Sequence, residues 1–540
     1  MTKTRSLFLL LALLVASATA RAADPPLPRL VQKDGRAALL VDGAPFLMLG
    51  AQVNNSSAWP GVLPQVWPAV KALHANTVEM PVYWEQLEPK QGSFDFSVVD
   101  TLVSESRKNG VHLVLLWFGT WKNGGVAYTP LWMKADPVKY PLMLAASGRP
   151  VGSASPFSVE RLEADKRAFV ALMGHLKKTD RQHTVLMVQV ENESGTWGAI
   201  RDFSPAAQKA FGSPVPADVL AAMKATPSSP NATWKEAFGK NADEFFHAWA
   251  VARFVGQVAA AGKAAYALPL YANAALRDPI APGPPGSWES GGPTDDVLPI
   301  WKVEAPALDL LAPDIYMDDY AKVERVMELY RRPDNPLFIP EMGNAAVYAP
   351  YFFLALDHGT IGFSPFGVDY TRYANFPLGA KKMNEEALAP FAMNYELVAP
   401  MMRQLAQLTF DGKVHAVAEK RGTPVAAMEI GAWKVDVRYG LPQFGFGDKP
   451  PGNAEPIGRA LVAEIGDNEF LVTGFHCRVD FQVSAAASGA KKQRQYLRVE
   501  EGTYDKGKFK FLRLWNGDQT DWGLNFTSMP QILHVTVGTY

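Results

Sequence analysis

The chain is poor in several things, and each shortage removes a class of function. It has one cysteine, Cys477, so no intrachain disulfide can form and 540 residues must be held by an apolar core. It has no run of basic residues, and its formal charge is −1, which argues against nucleic acid as a partner. The nine histidines do not cluster at metal-ligand spacing, and no His-Glu-x-x-His occurs. There is no Gly-x-Ser-x-Gly elbow and no glycine-rich phosphate loop ahead of a helix. The chemistry is therefore expected to run on the chain's own side chains, with no metal or organic cofactor.

Long apolar runs are also missing, except at the start. Leu7 to Ala18 follows Lys3 and Arg5 and precedes the small-x-small patterns Ala18-Thr19-Ala20 and Ala20-Arg21-Ala22. Residues 1–22 thus read as a secretory signal peptide, since the apolar run falls short of the roughly 20 residues that span a bilayer. Export to a bacterial periplasm or beyond is the expectation, with no membrane span in the mature chain. Without Lys3, Arg5 and Arg21 the formal charge becomes −4.

What is present is alternation. Between residues 40 and 375, short apolar runs alternate with amphipathic helical stretches, the pattern of βα units on a parallel sheet. Eight strands are predicted: Phe46–Ala51, Thr77–Val82, Val111–Trp117, Val185–Val190, Ala267–Tyr271, Leu308–Ile315, Leu337–Pro340 and Thr360–Phe363. The expected fold class is α/β, a (β/α)8 TIM barrel over 28–380. A helical connection over 381–409 and a smaller all-β, sandwich-like domain over 410–540 follow. Two insertions, 196–240 and 275–305, come after the fourth and fifth strands. In a barrel both lie on the C-terminal face, where they would narrow a cleft into a pocket.

Two glutamates end apolar strands, in Val190-Glu191-Asn192-Glu193 and in Ile339-Pro340-Glu341. Strands four and seven lie on opposite sides of an eight-stranded barrel, so these carboxyls can face each other. Glycosidic cleavage needs such a pair, one holding a proton and one ionised. Glu191 and Glu193, two apart, are expected to share a strand face, with Glu191 deeper and structural.

Asn192-Glu193 with Glu341 resembles the clan A barrel glycosidases. Within that clan, three stretches are most similar to family 35 β-galactosidases, with relatives in family 42. They are Val41-Asp42-Gly43 leading into Phe46–Gly50, Asn76–Trp84 with Glu88-Pro89 and Phe94-Asp95-Phe96, and Gln189–Glu193. The resemblance implies Glu193 as acid/base, Glu341 as nucleophile and Asn192 as a partner of the sugar 2-hydroxyl. It further implies Tyr316 on the nucleophile and a carbohydrate, a galactose-containing glycan, as partner. Trp117, Trp121, Tyr83 and Glu79 are further substrate-binding candidates; Glu79 also suits a barrel-layer ion pair. Phe363 and Phe366 are candidate sugar platforms. The family's Gly-Pro-Tyr-x-Cys-Ala-Glu-Trp stretch is replaced by Trp117–Gly125, which leaves arabinosidase or glucosidase specificity open. A non-hydrolytic glycan-binding protein is the reading from another class.

Overall fold

The computed structural model describes residues 25–442, 449–484, 493–505 and 507–540. The signal-peptide assignment over 1–22 lies outside the described residues.

All eight predicted strands enter one closed parallel barrel. They run over Met48–Gln52, Thr77–Tyr83, His112–Lys122, Val185–Asn192, Leu270–Ala275, Leu310–Ile315, Ile339–Met342 and Gly362–Pro365. Every residue of the second and fourth strands is buried, as expected where helices cover the outside and side chains fill the inside. Several strands extend further toward the C-terminal face than their apolar runs. The fifth reaches Ala275 and the seventh Met342, so Asn273 and Glu341 stand inside strands, not after them. Polar residues hide these ends from a hydrophobicity reading, and they are the residues that form the site.

The predicted connection contains the helices Glu385–Val398 and Met402–Phe410. The first packs on the barrel: the Tyr395 hydroxyl donates to the carbonyls of Gly50 (3.0 Å) and Phe363 (2.5 Å), where the first and eighth strands close the ring. Ahead of the barrel lies an antiparallel sheet of Arg29–Lys33, Arg36–Val41 and Ala44–Phe46, of which only Phe46 was predicted as strand. Its two turns are Asp34-Gly35 and Asp42-Gly43, with φ of 50°, 72°, 54° and 80°, the left-handed pair that Asp-Gly supplies in a two-residue hairpin.

After the helices come two antiparallel sheets. One has six strands in the order 414–418, 459–466, 469–475, 532–539, 494–505, 508–514; the other has four, 425–430, 433–439, 477–483, 524–526. Val435, Val437, Val462, Val472, Val479 and Leu533 fill the space between them. The strands Arg459–Gly466, Cys477–Val483 and Leu524–Phe526 were not predicted. The first is buried at five successive residues because one face meets the sandwich and the other the barrel, so it lacks alternation. Among the described residues no helix is long and apolar enough to cross a membrane.

Candidate active site

A cavity of about 1050 Å³ opens at the C-terminal face of the barrel. Both insertions line it, through Trp197 and Glu289, together with loops after the first and eighth strands. The insertions are joined by a two-bond bridge, Thr196 N–H to Ser290 O at 2.9 Å and Ser290 N–H to Thr196 O at 3.0 Å.

Glu193 and Glu341 both line this cavity. Glu341 sits mid-register on the seventh strand, beside Asp314 of the sixth. Gln52 Nε2 donates to its Oε1 at 2.8 Å, and the Tyr316 hydroxyl donates to its Oε2 at 2.6 Å. Asn192 Nδ2 stands 3.4 Å from the same Oε1. Three donors thus converge on this one carboxylate and fix its orientation. Oxygens of Glu193, Asp314 and Glu341 all lie within 4.8 Å of one another. Burial first, and then the charge of Glu341, raise the Glu193 carboxyl to about 7, while the Lys122 ammonium opposes the rise. Burial and the two neighbouring glutamates push Asp314 well above the ordinary carboxylate range, so this buried carboxyl holds its proton.

The backbone around Glu193 departs from a regular strand. Glu191 has φ of 63° and Glu193 φ of 43°, both left-handed, which costs about 1–3 kcal/mol each for non-glycine residues. The break ends the two-residue alternation. Glu193 lines the cavity and Asn192, fully buried, lies against Glu341, whereas Glu191 turns toward Asp165, contrary to the shared face expected from their spacing. Glu191 accepts from the Trp121 amide at 2.7 Å and lies against Asp165 on the helix Val159–Thr179. Burial and Asp165 push the Glu191 carboxyl well up, so the pair shares a proton beneath the loop after the third strand.

The other candidates divide. Tyr316 and Phe366 line the cavity, their rings edge-to-face at 6.2 Å. Trp117 does not: it is fully buried outside the barrel, its indole donating to Asp165 at 2.9 Å. Trp121 is likewise buried, donating to Ser153 Oγ at 3.0 Å with its ring edge on Phe254. The long third strand carries both tryptophans toward the helices. Tyr83 stands one layer behind the cavity, between Trp59 and the lining residue Tyr128, at ring distances of 5.1 and 5.3 Å. Glu79 is buried inside the barrel below the site, hydrogen-bonded by Ser364 and by the Tyr271 hydroxyl at 3.2 Å. No cation pairs with it among the described residues, so the ion pair expected there is a buried acid, raised by burial to about 8. Phe363 packs on Phe352 in the core.

Several site residues were not anticipated: Lys122, Asp314 and Glu289 on the cavity wall, and the buried Gln52 and Asn273 behind it. Asn273 accepts from the Glu193 amide at 2.9 Å and donates to Asp314 at 2.7 Å, tying the acid side of the site together. Gln52, Asn273 and Asp314 share one sequence signal, a polar residue at the C-terminal end of an apolar strand. Glu289 lies in a loop and had none.

A closed eight-stranded barrel with paired carboxyls at one mouth defines a class of fold and site that the comparisons then sharpen. Residues 62–252 match the family 42 glycoside hydrolase model, described as β-galactosidase, and residues 391–527 match a domain of unknown function, DUF5597. The barrel is β-galactosidase-like in that sense. A β-galactosidase of Xanthomonas manihotis is 28% identical over 167 residues, 29% of this chain and 25% of that protein. Beta-galactosidase 11 of Arabidopsis thaliana is 29% identical over 110 residues, 18% of this chain and 12% of that one. The chain thus spans a quarter or less of these curated relatives. Among solved structures, a β-galactosidase of Marinomonas ef1 superposes with a TM-score of 0.49 at 13% identity, covering 67% of this chain and 61% of that one. A β-galactosidase of Bacillus circulans sp. alkalophilus gives 0.48 at 13%, covering 66% and 57%.

Proposed function

We propose that the chain is a retaining exo-β-galactosidase, with Glu341 as nucleophile and Glu193 as acid/base. The observation that carries this reading is the approach of the two carboxyls, whose nearest oxygens lie within 4.8 Å. Retaining enzymes hold the pair about 5–5.5 Å apart, whereas inverting enzymes leave ~6.5–9.5 Å for a water. Glu341, oriented by Gln52 and Tyr316, attacks the anomeric carbon. Glu193, whose carboxyl is raised to about 7 by burial and by the charge of Glu341, retains a large protonated fraction at neutrality and passes its proton to the leaving oxygen. Water then opens the glycosyl-enzyme as Glu193 takes the proton back. Asn192, beside Glu341, is the partner of the sugar 2-hydroxyl that the resemblance to clan A implies.

Galactose is supported by the β-galactosidase model over 62–252 and by the named relatives. The second-strand stretch Asn76–Trp84 favours family 35 within the clan. Export, on the strength of residues 1–22, belongs to the same reading, as does a galactose-containing glycan outside the cytoplasm as substrate. The test is hydrolysis of a panel of nitrophenyl glycosides, with the product anomer followed by NMR. Wild type is expected to release β-galactose first, and Glu341→Gln to lose turnover by orders of magnitude. α-Galactose as first product would reject retention, and turnover of another sugar alone would reject the specificity.

A further inference from the structure

The double displacement proposed above uses Glu341, Glu193 and their donors, but it leaves one wall of the cavity without a task. That wall carries Trp197, Glu289 and Lys122. Trp197 is the one tryptophan on the cavity wall among the described residues, and it is 53% exposed. An indole left half in water beside a polar cavity is an apolar face without a partner. Glu289 is its opposite: a carboxyl 2% exposed, facing the cavity, set against the Trp197 indole. Among the described residues neither of its oxygens has a hydrogen bond of full geometry. A buried carboxyl left so is costly unless something else binds it. Lys122, 8% exposed, also lines the cavity; its ammonium contacts Asn123 and lies 5.3 Å from the Phe118 ring centre.

The backbone sets this wall against the proton donor: the Gly124 amide, two residues past Lys122, donates to the Glu193 carbonyl at 3.0 Å, and Glu289 Cγ lies 3.2 Å from where a Cβ on Gly195 would stand. Glu341 is held instead by Gln52 of the first strand and by Tyr316 after the sixth. The wall therefore flanks Glu193. In a double displacement that side receives the leaving group.

We propose that Trp197, Glu289 and Lys122 form a leaving-group subsite that takes a second pyranose. The indole stacks on the C–H face of the ring, the carboxyl accepts from its hydroxyls and the ammonium donates to them. The two insertions build this subsite jointly, since the Thr196–Ser290 bridge sets Trp197 and Glu289 side by side.

This inference rests on the β-galactosidase reading, and the experiment separates the two. The full chain is assayed on β-galactosyl fluoride, whose leaving group is a single atom, and on β-galactosyl-(1→4)-glucose. Trp197→Ala and Glu289→Gln are expected to lower kcat/KM on the disaccharide by about tenfold or more, mainly through KM, and to leave the fluoride within about twofold. Trp197→Phe should restore most of the loss. Fluoride turnover doubles as the folding control for the buried Glu289. Equal losses on both substrates, or an unchanged disaccharide, would overturn the subsite. So would a wild type that cleaves the fluoride but not the disaccharide. A wild type that cleaves neither would reject the functional reading itself.

Discussion

At the scale of single residues, the site is a problem of protons. Three carboxyls within 4.8 Å cannot all be ionised, and their surroundings divide the roles. Glu341 collects donors from Gln52 and Tyr316, while Asp314 and Glu193 are held up by burial and by negative neighbours. Lys122 is the one cation acting against that rise on Glu193. Its removal has a definite sign. Without the ammonium the Glu193 carboxylate is less favoured, its pKa climbs above about 7, and the protonated form needed for attack persists to higher pH. Lys122→Met is therefore expected to move the alkaline limb of the kcat/KM profile upward by about one pH unit. A limb that stays in place or moves downward would show that Lys122 does not act on the acid. Glu289 should not compensate, because a carboxyl offers no positive charge to replace the ammonium.

At the scale of elements, the apolar code was legible and its polar endings were not. Alternating runs identified all eight barrel strands, because each must fill a dry interior. The same reading stopped at Tyr271 and Pro340, although the strands run to Ala275 and Met342. The lost residues, Asn273 and Glu341 among them, are polar because they build the site: Glu341 lines the cavity, and the buried Asn273 bonds Glu193 and Asp314 from behind it. Glu341 was still recovered, by the chemistry expected at a strand end, while Asn273 was not. The side choice at Glu191 failed for a different reason: left-handed backbone at 191 and 193 cannot be seen in a two-residue period. Trp117 and Trp121 failed because an aromatic near a strand end carries no mark of which face it takes. The hairpin turns Asp34-Gly35 and Asp42-Gly43 were in plain view and would have given the N-terminal sheet. One turn links these lessons to function. Gly195, two residues after Glu193, has φ of 153°, and a Cβ there would stand 2.5 Å from the Ser290 carbonyl and 3.2 Å from Glu289 Cγ. Gly195→Ala must push the two insertions apart, at a cost of about 1–3 kcal/mol. Its melting temperature should fall, and disaccharide turnover should suffer more than turnover of the fluoride. An unchanged melting temperature would mean the bridge between the insertions bears no strain from the added methyl.

At the scale of the whole molecule, the barrel and the β-sandwich are packed as one body by shared apolar and polar contacts. The helix Tyr351–Asp357 lies against the strand Val414–Ala418, and Asp357 accepts from the Ala416 amide at 2.9 Å. Phe353 is fully buried there, edge-on to Phe475 of the sandwich at 6.4 Å. Arg459 extends from the sandwich strand with its guanidinium over the Phe475 ring at 4.5 Å, and donates to Asn394 of the barrel-side helix at 2.8 Å. Asn394 in turn donates to the Ala349 carbonyl at 2.8 Å, so a polar chain crosses the seam without a break. An isolated barrel would expose Phe353 and leave Asn394 half paired, and an isolated sandwich would expose Phe475 and the Arg459 charge. Neither half then unfolds independently, because separation costs both of them buried surface. Calorimetry of the full chain should therefore give one cooperative transition, and Phe353→Ala, at about 3–5 kcal/mol for a large buried ring, should lower that single transition as a whole. Two resolved transitions, with only one of them shifted by Phe353→Ala, would show instead that the sandwich is an appended module, and the seam would then be a contact between neighbours and not a common core.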